Sequence, residues 1–139
     1  MTRTLTLALA QHNYTVGAIA DNKTRIAAAY ALLSVILGAF GAHALHDTLL
    51  AHGSVQTWKT AADYQMWHAM ALILWVLAHS KQPTSYLTPI CFSIGILLFS
   101  GSLYLLALGG PGWLGPITPL GGLSFMIGWS FWLYKGLTV

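Results

Sequence analysis

Charge is what this chain most lacks: nine of its 139 residues are charged, six basic and three acidic, a share of 6%. A soluble domain carries roughly 25%. Most of the surface must therefore face something other than water, and with 56% of the residues hydrophobic the lipid bilayer is the expected surround. The six basic residues are scattered, and without a Lys/Arg cluster to follow a phosphate backbone nucleic acid is excluded as a partner. Cysteine is nearly absent as well. Cys91 stands alone in an apolar run, which leaves neither an intrachain disulfide nor a thiolate metal cluster.

What the chain does have is apolar length. Residues 1–25 read as a polar N-terminal tail, because the run from Thr4 to Ala10 is too short for the apolar region of a signal peptide and no clear cleavage site follows it. Residues 26–139 read as an all-α integral membrane protein of four transmembrane helices in an antiparallel bundle, at about 26–45, 54–79, 89–108 and 119–135. The first stretch, at ~1.5 Å per residue, is long enough to cross a ~30 Å hydrocarbon core. Ser54 is the expected N-cap of the second helix, after a polar connection from His46 to Gly53. Thr88-Pro89 and Thr118-Pro119 share a pattern of capping hydroxyl followed by proline, which predicts the starts of the third and fourth helices. The prolines and glycines between Gly109 and Thr118 predict a helix-free turn.

Four crossings put Arg3, Lys23, Arg25, Lys81 and Lys135 on one side and Lys59 alone on the other. Positive charge is retained on the cytoplasmic side. The expectation is therefore a multi-pass protein of the bacterial inner membrane with both termini in the cytoplasm.

Polar residues gather toward the opposite side. His43, Asp63, Tyr64, Gln65, His68, Ser100, Ser102, Tyr104 and Thr118 form a candidate polar cluster there. A polar tip in hydrocarbon needs a partner, so intramembrane ionisable groups are functional candidates. His43 and His68 are the candidates for a haem iron, a metal or a proton-handling quinone site. The competing reading, that each simply bonds across helices near the interface, carries the greater weight because no carboxylate or cysteine accompanies them. Gly38, Gly41, Gly95, Gly101, Gly121 and Gly122 are expected to let helix backbones approach closely.

The segments GAFGAHAL at 38–45, YQMWHAMAL at 64–72, FSGSLYLLAL at 99–108 and GPITPLGG at 115–122 together resemble the YgdD family of small bacterial inner-membrane proteins. This is a domain-of-unknown-function family with a small animal transmembrane relative. The resemblance covers residues 26–135 and implies a four-helix membrane protein with no established activity. Family members begin close to the first helix, which leaves residues 1–25 without a counterpart and allows for a start codon placed upstream of the natural one.

Three functions compete on these grounds. The first is a non-catalytic or accessory membrane component, in a homo-oligomer or larger membrane complex, and not an enzyme. The second is a haem-, metal- or quinone-associated redox protein using His43 and His68, and the third is an oligomeric small-solute transporter. No catalytic residue and no particular cofactor is legible.

Overall fold

The computed structural model describes residues 22–79 and 85–137. Most of the expected tail, and Lys81, lie outside the described residues. Helix α1 spans Asn22–Ala42, a short α2 spans His46–Ala51, and α3 spans Val55–Ala78. Helix α4 runs over Leu87–Ala107 and contains a wide π turn at Ile96–Ser100. Helix α5 spans Ile117–Leu137. By length and composition α1 and α4 each suffice to cross a membrane.

Two connections depart from expectation. The polar segment after the first helix contains α2, whose Leu49 is fully buried against Trp58 and Ala107 and so anchors the connection to the bundle. The glycine- and proline-rich connection before α5 holds a single 3-10 turn at Gly112–Leu114, with Leu114 buried beneath it. Gly53 and Gly109 close α2 and α4 in left-handed conformations, with φ of 61° and 82°; only glycine adopts these without cost.

Hydrogen bonds fix the order of the long helices. Between α1 and α3, the Trp58 indole donates to the Leu37 carbonyl at 2.8 Å, Ser34 donates to Ala62 at 2.8 Å and Gln65 donates to Tyr30 at 2.9 Å. The partners descend one helix as they climb the other, so the pair is antiparallel. Helix α3 meets α4 the same way, through Ser54 with Ala107, Trp58 with Tyr104 and Tyr64 with Phe99. Between α4 and α5 the bonds are Ser102 with Thr118, Ser124 with Cys91 and Thr88 with Gly128. These bonds and close packing tie the long helices to one another.

The same bonds correct the expected caps. Ser54 occupies the N-cap position of α3 but makes no capping bond. Its hydroxyl donates across the bundle to the Ala107 carbonyl at 2.6 Å. Thr88 and Thr118 lie inside their helices, which begin at Leu87 and Ile117, and their hydroxyls also turn to a neighbouring helix. The prolines still sit within the first turn, where the missing N–H forfeits no intrahelical hydrogen bond. Ser54→Asp separates the two roles: aspartate is as good an N-cap, but its ionised carboxylate has no proton for Ala107. Its melting temperature in detergent is expected to fall by an amount corresponding to about 1 kcal/mol, and unchanged melting would restore the capping role.

The glycines divide by the face they occupy. A Cβ on Gly121 would overlap the backbone of Phe99, on Gly41 the Trp58 indole, and on Gly95 the ring of Phe125. A Cβ on Gly122 would stand at an ordinary 3.8 Å from the Phe99 ring, and one on Gly38 or Gly101 would enter open space. Gly38 instead borders a groove of about 450 Å³ between α1 and α3. Gly128, not anticipated from sequence, packs beneath Phe92 and Cys91.

Candidate functional site

Among the described residues His68 is the one histidine held deep among the helices, 5% exposed on the inward face of α3. Its ring stacks on Phe125 with centroids 3.5 Å apart and planes 11° from parallel, and it meets Phe92 edge-on at 5.3 Å. Nδ1 lies 2.8 Å from the Tyr64 carbonyl, and the Trp129 indole donates to Nε2 at 3.2 Å. A carbonyl only accepts and an indole N–H only donates. The network therefore assigns a neutral ring with its proton on Nδ1 and its Nε2 lone pair engaged by Trp129. Each nitrogen has a protein partner, so a metal or haem iron would have to displace the indole.

The structure does not bring His43 to this point. The register of α1 against α3 makes Leu37 level with Trp58 and Tyr30 level with Gln65. His68 is therefore level with about residue 27, ~24 Å along the axis from His43. His43 occupies the exposed turn after α1 and, among the described residues, its ring has no hydrogen-bond partner. The first turn of α3 is level with the end of α1, so His68, more than three turns into α3, lies far along the bundle from His43.

The other predicted cluster residues form separate local arrangements. Tyr64 joins the His68 group, packed on Phe99 at 4.6 Å and near Phe125 at 6.3 Å. Gln65 is committed to the Tyr30 carbonyl. Asp63 pairs with Lys59 one turn earlier at 2.6 Å, on the rim of the groove beside Gly38 and Gly41. Thr118 bonds Ser102 at 2.7 Å, and Ser102 in turn donates to the Phe99 carbonyl. Tyr104 packs edge-on against Trp58 at 4.7 Å. The Ser100 and Tyr104 hydroxyls are buried without a hydrogen-bond partner among the described residues, one turn apart where the π turn ends.

Phe125 and Trp129, which define the surroundings of His68, were not singled out from sequence. Their spacing, continued by Trp132 stacked on Trp129, places an aromatic stripe on one face of α5, and Phe92 of α4 packs against it. That stripe was the available signal. Ser34 is a second such residue, a serine in the apolar first helix whose hydroxyl bonds the α3 backbone. Among the described residues no group of three or more His, Cys, Asp or Glu side chains is placed to hold a metal ion.

Helices with apolar exteriors, polar tips bonded helix to helix and two apolar spans together define an all-helical membrane protein. The family model described as "Protein of unknown function (DUF423)" matches residues 37–122. The chain belongs to this family. It is 43% identical over 102 residues to the UPF0382 membrane protein YwdK of Bacillus subtilis, covering 71% of this chain and 82% of the relative. It is 41% identical over 100 residues to the UPF0382 membrane protein SAB0533 of Staphylococcus aureus, covering 71% and 81%. It is also 38% identical over 111 residues to the UPF0382 inner membrane protein YgdD of Escherichia coli, covering 77% and 82%. No solved structure matches the chain.

Proposed function

We propose that this protein is a four-span accessory component of the bacterial inner membrane, with both termini cytoplasmic, and that its helices serve assembly and not catalysis. The observation that carries the reading is its inverted polarity. Ser34, Trp58, Gln65 and Ser54 spend their polar tips on the backbone of a neighbouring helix. Large apolar side chains point outward from every long helix, among them Leu32 on α1, Leu74 on α3, Leu97 on α4 and Leu133 on α5. A face of that kind is stable only against lipid or another apolar surface. The occupied nitrogens of His68 add support, since a redox or ligand role would need at least one of them.

Native purification followed by mass spectrometry of what co-purifies tests the accessory role. A protein partner, or further copies of the chain, at fixed stoichiometry is expected; a chain that remains a lone monomer in native-lipid discs would overturn it. The topology has its own test. With Lys23, Arg25 and Lys135 on the side of the termini and Lys59 opposite, a C-terminal fusion to a reporter active only in the periplasm is expected to stay silent. Strong reporter activity would reverse the orientation.

A further inference from the structure

Helices α1 and α4 pack on α3 from either side and leave a groove of about 410 Å³ between them. We infer that this groove holds one acyl chain of an anionic phospholipid, whose phosphate is bound at the groove's mouth by the Lys23 ammonium and the Tyr86 hydroxyl. The inference rests on the reading above that α1 and α4 cross the bilayer.

The floor is apolar and built by α3 from Leu72, Trp75 and Val76. Ile26 and Ala27 form one wall, and Ile90, Ile94 and Leu97 form the other. From Tyr86 to Leu97 the wall on α4 is ~16 Å long. The hydrocarbon half-thickness of a bilayer is ~15 Å, so the groove has the reach of a single chain from a single leaflet. Water cannot stably fill a trough so poor in polar partners, and no side chain of the described residues fills it.

The mouth differs from the rest of the groove. Lys23 Nζ lies 3.4 Å from the Tyr86 hydroxyl and 4.9 Å from the centre of its ring, so an ammonium and a phenol are held together where the apolar lining ends. Both groups can donate to one phosphate oxygen pair while the Lys23 stem follows the apolar wall. Arg25 is exposed one turn from the helix start. Among the described residues this end carries Lys23, Arg25 and Lys135, while Asp47 and Asp63 lie toward the opposite one. A cationic end above an acyl-sized trough complements an anionic headgroup and gives no preference to a zwitterionic one, whose own ammonium would meet Lys23.

The test uses the full chain purified in mild detergent and titrated with phosphatidylglycerol or phosphatidylcholine of the same acyl chains, read by lipid adducts in native mass spectrometry and by thermal stability. Phosphatidylglycerol is expected to bind preferentially and to raise the melting temperature more. Lys23→Gln with Tyr86→Phe is expected to weaken phosphatidylglycerol binding about five- to tenfold and to leave phosphatidylcholine binding unchanged. Ser93→Phe, which fills the groove from α4, is expected to reduce adducts of both lipids. Equal binding of the two lipids by the natural chain, or a phosphatidylglycerol preference that survives the double substitution, would overturn the inference, as would adducts undiminished by Ser93→Phe. Release of the chain from membranes by alkaline carbonate would instead overturn the membrane-crossing reading beneath it, and no lipid titration mimics that result.

Discussion

Gly121→Ala is expected to destabilise the protein by about 3 kcal/mol or more, the upper range for overpacking a filled interior. The added methyl would fall on the backbone nitrogen and Cα of Phe99, and a helix backbone has no rotamer with which to move aside. Either α5 must move away from α4, or the bond between Thr118 and Ser102 one turn away must break. Gly41→Ala meets a side chain instead, the Trp58 indole. That ring is tied to the Leu37 carbonyl, so a smaller cost of about 1–3 kcal/mol is expected as it shifts. Gly38→Ala and Gly101→Ala enter open space and are expected to stay within about 0.5 kcal/mol of the natural chain. Unfolding of the four variants in one detergent ranks them directly. Gly121→Ala melting like the natural chain would mean that α4 and α5 lie further apart than described.

His68→Ala is expected to cost about 2–4 kcal/mol, because it opens a cavity against Phe125 and Phe92 and strands the Trp129 indole N–H. His43→Ala, by contrast, removes a ring from an exposed turn and is expected to change stability very little. The pair also makes a double-mutant cycle. At ~24 Å separation with no common partner, the effects should add within about 0.5 kcal/mol. A coupling above about 1 kcal/mol would show that the two histidines share a site after all.

Hydroxyl and indole groups carry much of the helix-to-helix contact in this protein, and their partners are mostly backbone carbonyls of other helices. Each such bond adds modestly, on the order of 0.6 kcal/mol on average in membrane helices. Their effect on specificity is larger than that figure suggests. A slide of one helix past another by a residue would break the Leu37, Ser34 and Gln65 bonds together, leaving several polar groups unmet in an apolar surround.

The sequence by itself determined the membrane character and the all-helical class, because charge density and apolar run length depend only on which residues are present and how many stand in a row. It also marked Gly41, Gly95 and Gly121 as small residues on helices, and His68 as a polar group in need of partners. Which glycines are pressed against a neighbour was decided in three dimensions: Gly38 and Gly41 lie on one helix three residues apart, yet only Gly41 faces Trp58. The π turn at Ile96–Ser100 adds a further displacement, since its wider loop rotates everything after it on α4 away from a regular helical period. The level of His68 relative to His43 was likewise beyond the sequence, which assigns each residue a place along its own helix but not the register between helices. That register is set by long-range bonds such as Trp58 with Leu37 and Gln65 with Tyr30. Only the folded chain brings those partners together, and it therefore divides one expected polar site into a buried His68 arrangement and an exposed His43.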